Sequence, residues 1–236
     1  MGSIFNRIER VVLGKKRIVE RKLLTIAPHF VWRELPFFRN AYAKFGGKIA
    51  GIPEMRCFFL QSAIRSVHKV EGHVAECGTR NGKSALYMLE ACEQDRRFFL
   101  FDSFDGLSDP VKGKDSLKTS FKDGERLFKT DFTKVQERFT RYPNVSIMKG
   151  WIPDRYAEVK NEKFCFVHID VDLYQPTLDS LLFFYPKLSI GGIIICDDYG
   201  SGNYPGARRA LDEFFADKPE TPAELPQGQA FIVKLG

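Results

Sequence analysis

The 236-residue chain has neither a CxxC pair nor a Cys/His cluster. Its five cysteines, Cys57, Cys77, Cys92, Cys165 and Cys196, are odd in number and widely spaced. That pattern supports neither a structural zinc site nor a disulfide framework and points instead to reduced, buried thiols. No apolar run comes near the ~18 residues of a membrane span. The start is basic, but no apolar stretch follows it, so no secretory signal is read and a cytoplasmic protein is expected. The opening MGSIFN lacks the Ser/Thr that myristoylation needs at its sixth position. Charge of one sign is in only mild excess, +6, and basic and aromatic residues do not alternate as in a nucleic-acid module, so nucleic acid is not an expected partner. Repeats and low-complexity tracts are also missing.

What is present reads as one domain with appendages, long enough to bury a substantial core. Residues 1–45 differ from the rest. Arg7, Arg10, Lys15, Lys16 and Arg17 interleave with Ile4, Phe5, Ile8, Val11 and Val12, a spacing that predicts a basic amphipathic helix. Such an arm packs on its own core or on a neighbouring subunit, or lies on an anionic membrane surface. The aromatic stretch His29–Phe38 suits an interface or a lid over a pocket. A Gly/Pro break at 46–53 precedes a helix expected over 54–68.

From Val74 onward apolar strands alternate with helices. Strands are read at 74–77, 97–102, 145–150, 164–170, 191–198 and 229–235. Helices are read at 84–93, 132–139, 153–159, 177–188 and 206–215. Near-continuous apolar strands separated by amphipathic helices predict an α/β fold, with a mostly parallel sheet covered on both faces. The last segment breaks the alternation and is expected as an antiparallel edge strand. Residues 103–132, polar and rich in Gly and Lys, resist assignment and are taken as a lid-like insertion.

In an open α/β sheet, ligands bind beyond the carboxyl ends of the strands. Here those ends carry Glu76 and Gly78, Asp102, Asp170, and Asp197 with Asp198. Four of five strands therefore aim acid at one edge. The first turn, ECGTRNGKS (Glu76–Ser84), has one residue too few between its glycines for a phosphate loop, and it is not GxGxxG, which disfavours a nicotinamide cofactor. Asp102 stands 26 residues after Glu76, close to the ~20 at which an acid meets ribose hydroxyls in a nucleotide-binding βαβ unit. Capping the next turn is its structural alternative.

The segments ECGTRNGKSA, FDSFDGL, KGWIPD, HIDVDLYQPTLDSL and GGIIICDDYG, in this order, resemble the macrocin O-methyltransferase (TylF-type) family across roughly residues 70–215. The resemblance implies a class I methyltransferase fold that is Rossmann-like and occupies residues 46–236 behind the 1–45 arm. It also implies use of S-adenosylmethionine and Mg²⁺ to methylate a hydroxyl on a sugar or glycosylated natural product. Carried over by motif, Glu76, Gly78, Thr79, Gly82, Ser84, Asp102 and Ser103 would contact the cofactor. Asp170, Asp197 and Asp198 would bind the metal, with Asp170 also the general base. Trp151 is read equally as an adenine-packing side chain and as core. Asp172 is read as capping the Leu173–Thr177 turn, with catalysis as its alternative, and His168 as a satisfied core histidine or one that supports the site residues from behind. A catechol-type methyltransferase acting on an aromatic diol is the enzymatic alternative. A cofactor-binding, membrane-associated subunit without turnover is the non-enzymatic one. A homo-oligomer is expected.

Overall fold

The computed structural model describes residues 31–92 and 96–236. The basic segment on which the membrane-surface expectation rests lies outside them. No helix among the described residues is long and apolar enough to cross a membrane.

After a 3₁₀ turn at Val31–Glu34, α1 (Pro36–Phe45) and α2 (Glu54–Ser66) precede the sheet. The alternation then runs β1 (His73–Cys77), α3 (Lys83–Leu89) and β2 (Phe98–Asp102), followed by a two-residue hairpin of β3 (Phe121–Lys122) and β4 (Glu125–Arg126). Next come α4 (Phe132–Phe139), β5 (Val145–Lys149), a 3₁₀ segment (Asp154–Val159) and β6 (Phe164–Ile169). The chain closes with α5 (Tyr174–Phe184), β7 (Leu188–Cys196), α6 (Pro205–Phe215), β8 (Ala223–Glu224) and β9 (Ala230–Val233). The strand order is β5-β2-β1-β6-β7-β9-β8. The first five of these are parallel, β9 runs antiparallel to β7, and β8 is antiparallel to β9. This is the expected sheet with its antiparallel edge. Strand order reverses between β1 and β6, so the crevice for a ligand opens there.

Alternate strand residues feed two cores. Phe99, Phe101, Phe164, Ile169 and Ile194 pack with α5 and α6, whereas Val74, Phe98, Leu100, Phe166 and Ile195 pack with α2, α3 and α4. Phe101, Phe164 and Phe184 are wholly buried and meet edge-to-face, with the Phe184 ring 5.8 and 4.9 Å from the other two. Each such side chain contributes roughly 1.5–3 kcal/mol by leaving water.

Of the aromatic stretch, the part from Trp32 onward packs against the body of the domain. Trp32 stacks on Phe58 at 5.0 Å, and Phe38 lies 5.9 Å from Tyr87, so α1 is sealed against α2 and α3. Residues 36–45, read as part of an arm, belong to the packed body. Helix boundaries also moved. α3 starts at Lys83 and ends at Leu89, and α5 starts at Tyr174 because Pro176 is tolerated in a first turn, where its missing N–H has no intrahelical partner to lose.

Candidate active site

A cavity of about 250 Å³ opens at the carboxyl ends of β1, β2, β6 and β7. On one side it is lined by Gly78, Thr79, Ser84, Asp102, Ser103 and Trp151. On the other stand Asp170, Asp172, Asp197 and Asp198.

Chain crossing dictates the first side. Gly78 has φ +89°, and a Cβ there would sit 1.8 Å from the Asp170 carbonyl oxygen, so only glycine lets the β1 turn pass the end of β6. The Asp102 carboxylate accepts the backbone N–H groups of Arg80 and Phe104, each at 2.6 Å, which fixes its plane at the cavity wall. Burial pushes the Asp102 pKa up, and those two N–H groups oppose the rise. Thr79 Oγ1 is buried without a partner among the described residues. Ser103 Oγ donates to the Gly106 carbonyl and accepts from the Asp105 N–H, both at 3.1 Å, so it shapes the following turn as well as lining the cavity.

Two residues expected at the cofactor are not on the cavity wall. Gly82 (φ +76°) opens α3, and a Cβ there would meet the Phe139 ring at 2.6 Å, so its requirement is packing. Glu76 points beneath the sheet edge, where its Oε1 lies 3.0 Å from His168 Nδ1 and both side chains are wholly buried.

The second side is an acidic cluster. One carboxylate oxygen from each of Asp170, Asp197 and Asp198 lies within 4.8 Å of the others. The sheet ladder extends into these residues: the Asp170 N–H donates to Cys77 and the Asp197 N–H to Ile169, each at 2.8 Å. Asp197 is compensated from three directions. Arg56 of α2 pairs with its Oδ2, Gln229 Nε2 donates to Oδ1 at 2.6 Å, and His168 Nε2 approaches Oδ1 at 3.5 Å. Burial alone would raise the Asp197 pKa, but His168 and Arg56 outweigh it and hold the group below the usual carboxylate range. Burial would likewise lower His168, yet its bonds to Asp197 and Glu76 lift it to about 9.

Asp170 has no such help. Burial and the charges of Asp197, Asp198 and Asp172 push it well above the normal range. Asp198 rises to about 6 through burial and the Asp197 charge. Its Oδ2 is buried with no partner among the described residues. An all-oxygen donor set with an orphaned carboxylate oxygen and uncompensated negative charge fits a hard divalent cation.

Residues 47–225 match the family described as Macrocin-O-methyltransferase (TylF). The chain belongs to this family. The chain is 30% identical over 167 residues to the mycinamicin III 3''-O-methyltransferase of Micromonospora griseorubida, a match covering 66% of this chain and 64% of that protein. It is 29% identical over 142 residues to the 8-demethyl-8-(2,3-dimethoxy-alpha-L-rhamnosyl)-tetracenomycin-C 4'-O-methyltransferase of Streptomyces olivaceus, covering 55% and 54% respectively. The chain thus spans less than two thirds of the length of these relatives. The fold is that of the O-methyltransferase NovP, with a TM-score of 0.67 at 23% identity over 78% of this chain and 81% of that one.

Within the family framework, Asp172 departs from its sequence reading. It has φ +62°, the helix N-cap position is Leu173, and no side-chain cap bond is made. Its carboxyl opens on the cavity instead. Burial and the charges of Asp198 and Asp197 push its pKa well up. The cap comes from the 103–132 insertion: the Tyr174 N–H donates to Asp115 Oδ1 at 2.9 Å, and the Val111 N–H donates to Asp115 Oδ2 at 2.7 Å. Ser116 Oγ donates to the Asn203 carbonyl at 2.6 Å, and Lys114 pairs with Glu213. This part of the insertion is therefore pinned across α5 and α6. No local signal announces Asp115 or Arg56, because their partners are 59 and 141 residues away.

Proposed function

We propose that the protein is an S-adenosylmethionine- and Mg²⁺-dependent O-methyltransferase acting on a hydroxyl of a sugar or glycosylated natural product. The observation that carries this is one cavity holding both the Gly78 turn with Asp102 and the Asp170, Asp197 and Asp198 carboxylates. Family membership and the acceptors in the relatives' names, one of them a rhamnosyl compound, support it.

Bound S-adenosylmethionine supplies an electrophilic methyl group. Asp102 retains lone pairs for the ribose hydroxyls after accepting from Arg80 and Phe104, and Thr79 Oγ1 and Ser84 offer further hydrogen bonds from the same wall. Asp170, Asp197 and Asp198 would hold Mg²⁺, which lowers the cost of alkoxide formation and orients neighbouring hydroxyls. An alcohol also needs a base within reach. Asp170, read from sequence as ligand and base, keeps the ligand role. Asp172 faces the same cavity outside the three-carboxylate cluster, so its lone pairs are left for the proton.

Titration calorimetry with S-adenosylmethionine, followed by transfer to a panel of glycosides and catechols with and without EDTA, tests this reading. Expected are micromolar-range cofactor binding and turnover of glycosides that EDTA abolishes. Turnover indifferent to EDTA removes the metal, preference for catechols replaces the acceptor class, and binding without turnover on any acceptor leaves a cofactor-binding module.

A further inference from the structure

Seven buried side-chain polar atoms have no hydrogen-bond partner among the described residues, and four of them belong to residues lining this one cavity: Thr79 Oγ1, Arg80 Nε, Ser108 Oγ and Asp198 Oδ2. Buried polar atoms are ordinarily satisfied, so such a concentration marks where a ligand is expected to complete the set. The cofactor and the cation account for Thr79 and Asp198. Arg80 and Ser108 have no role in that reading.

We propose that the acceptor is anionic, and that Arg80 and Ser108 form a subsite for a carboxylate or phosphate carried by the hydroxylated substrate. This rests on the methyltransferase reading and extends it. Among the described residues three cationic side chains line the cavity, and two are already committed. Arg56 is tied to Asp197 and to the Gln227 carbonyl, and Lys83 Nζ donates to the Ile52 carbonyl at 2.8 Å and to Glu54 at 3.1 Å. Arg80 lies instead on the face of Phe128, 4.4 Å from the ring centroid. A stacked guanidinium keeps its edge N–H groups for in-plane, bidentate recognition of a carboxylate or phosphate.

The surrounding structure holds that arrangement. Phe128 sits at φ +67°, a left-handed conformation that a bulky residue rarely adopts, and its ring meets Tyr204 at 6.4 Å. The Ser108 carbonyl accepts the Ser120 hydroxyl, which fixes the Ser108 backbone while its own Oγ is left over. Position favours the acceptor over the cofactor. The backbone N–H of Arg80 serves Asp102 on the cofactor side. Its side chain stacks on Phe128 of the insertion, and its charge reaches Asp172 and Tyr204 as well as Asp102.

The test is binding to the full chain loaded with S-adenosylhomocysteine, with methyl glucoside, methyl glucuronide and glucose 1-phosphate titrated in turn. Wild type is expected to bind at least one anion about 10–100-fold more tightly than methyl glucoside, the range for charge-assisted bonds. Arg80→Gln should reduce that preference to within about threefold, Arg80→Lys should restore part of it, and Ser108→Ala should weaken it by a few-fold. S-adenosylhomocysteine affinity should stay the same in all three variants. Equal wild-type affinity for neutral and anionic sugars overturns the proposal, as does a preference that survives Arg80→Gln. So does a loss of S-adenosylhomocysteine affinity in Arg80→Gln, which would assign the guanidinium to the cofactor's own carboxylate. Failure of wild type to bind S-adenosylhomocysteine at all overturns the underlying methyltransferase reading instead.

Discussion

Asp170 and Asp197 end adjacent parallel strands, with backbones fixed by the same ladder, yet the protein treats them in opposite ways. Asp197 is neutralised from within: Arg56 reaches it from α2, Gln229 from β9's approach, and His168 from the neighbouring strand. Asp170 has no bonded cation; burial and other carboxylates outweigh the charge of Arg56, and its pKa climbs while that of Asp197 falls. The acidic rim is therefore two devices. One carboxylate belongs to the fold's own charge network, which extends down to Glu76. The others are less fully compensated by the fold, and together with Asp197 they form the three-oxygen set that a bound cation would complete.

The most drastic way to break that comparison is to remove each charge in turn. Asp170→Asn is expected to cut kcat/KM by on the order of 10²–10³, the range for losing one electrostatic stabiliser of charge that develops in the transition state. Its folding stability without metal should hold or rise, because an uncompensated buried charge disappears. Asp197→Asn should do the reverse to stability and cost about 3–5 kcal/mol, since Arg56 and His168 lose their partner. Asp172→Asn, if Asp172 takes the proton, should lower kcat by ~10²–10³ with S-adenosylmethionine affinity retained. Urea melts, calorimetry and steady-state rates on the three variants decide it, and equal stability losses in Asp170→Asn and Asp197→Asn would erase the distinction.

The sharpest features of the sequence were those in which local pattern and chemistry coincide. Apolar strands ending in acid made the sheet, its direction and the cluster of Asp170, Asp197 and Asp198 readable, because a strand's carboxyl end and its side-chain alternation are local properties. Gly78 was readable as a turn residue, although the atom that enforces it, the Asp170 carbonyl oxygen, was not. Glu76 and His168 show the limit. Each was correctly placed in a strand, and His168 was read as satisfied, but only cross-strand register brings it opposite Glu76 and shows that its partner is a residue read as a cofactor contact. The 103–132 insertion was least legible, because irregular bonds within it, such as Leu107 N–H to the Leu127 carbonyl and Arg126 to the Leu107 carbonyl, carry no periodic signal, and its anchors on α5 and α6 are distant in sequence.

The Glu76–His168–Asp197 chain supplies a finer test through pH. His168 has its folded pKa raised to about 9 from an ordinary 6.5. The folded state thus binds its proton more tightly, and the stabilisation is complete below pH 6.5 and lost as pH rises through 9, a total of roughly 3 kcal/mol. Raised pKa values at Asp170 and Asp172 also favour protonated folded forms, and so lower stability with rising pH in the same sense. The His168 share is therefore the difference between wild type and His168→Gln. Chemical denaturation between pH 6 and pH 9.5 should show a steeper decline in wild type, and parallel curves would show that His168 is not charged in the fold.

The smallest expected effect concerns how the uncompensated half is held in place. Asp115 caps α5 from the insertion, and with it the turn that carries Asp172. Losing a cap costs typically about 1 kcal/mol, so Asp115→Ala should lower stability by about that much and no more. Its effect on turnover should be larger than its effect on stability. The Tyr174 N–H is then unpaired, and a left-handed residue such as Asp172 keeps its conformation only when its surroundings over-determine it. Asp115→Asn, which keeps an acceptor for that N–H, should recover most of the rate. Gly206→Ala approaches the same contact from the other side, since its Cβ would stand 1.8 Å from Asp115 Oδ1 and must displace it. If Asp115→Ala and Gly206→Ala both reduce kcat several-fold while leaving cofactor affinity unchanged, the insertion is a clamp on the acid side of the cavity. If rate falls only in proportion to stability, Asp115 is a cap and nothing more, and the two sides of the cavity are held by the sheet alone.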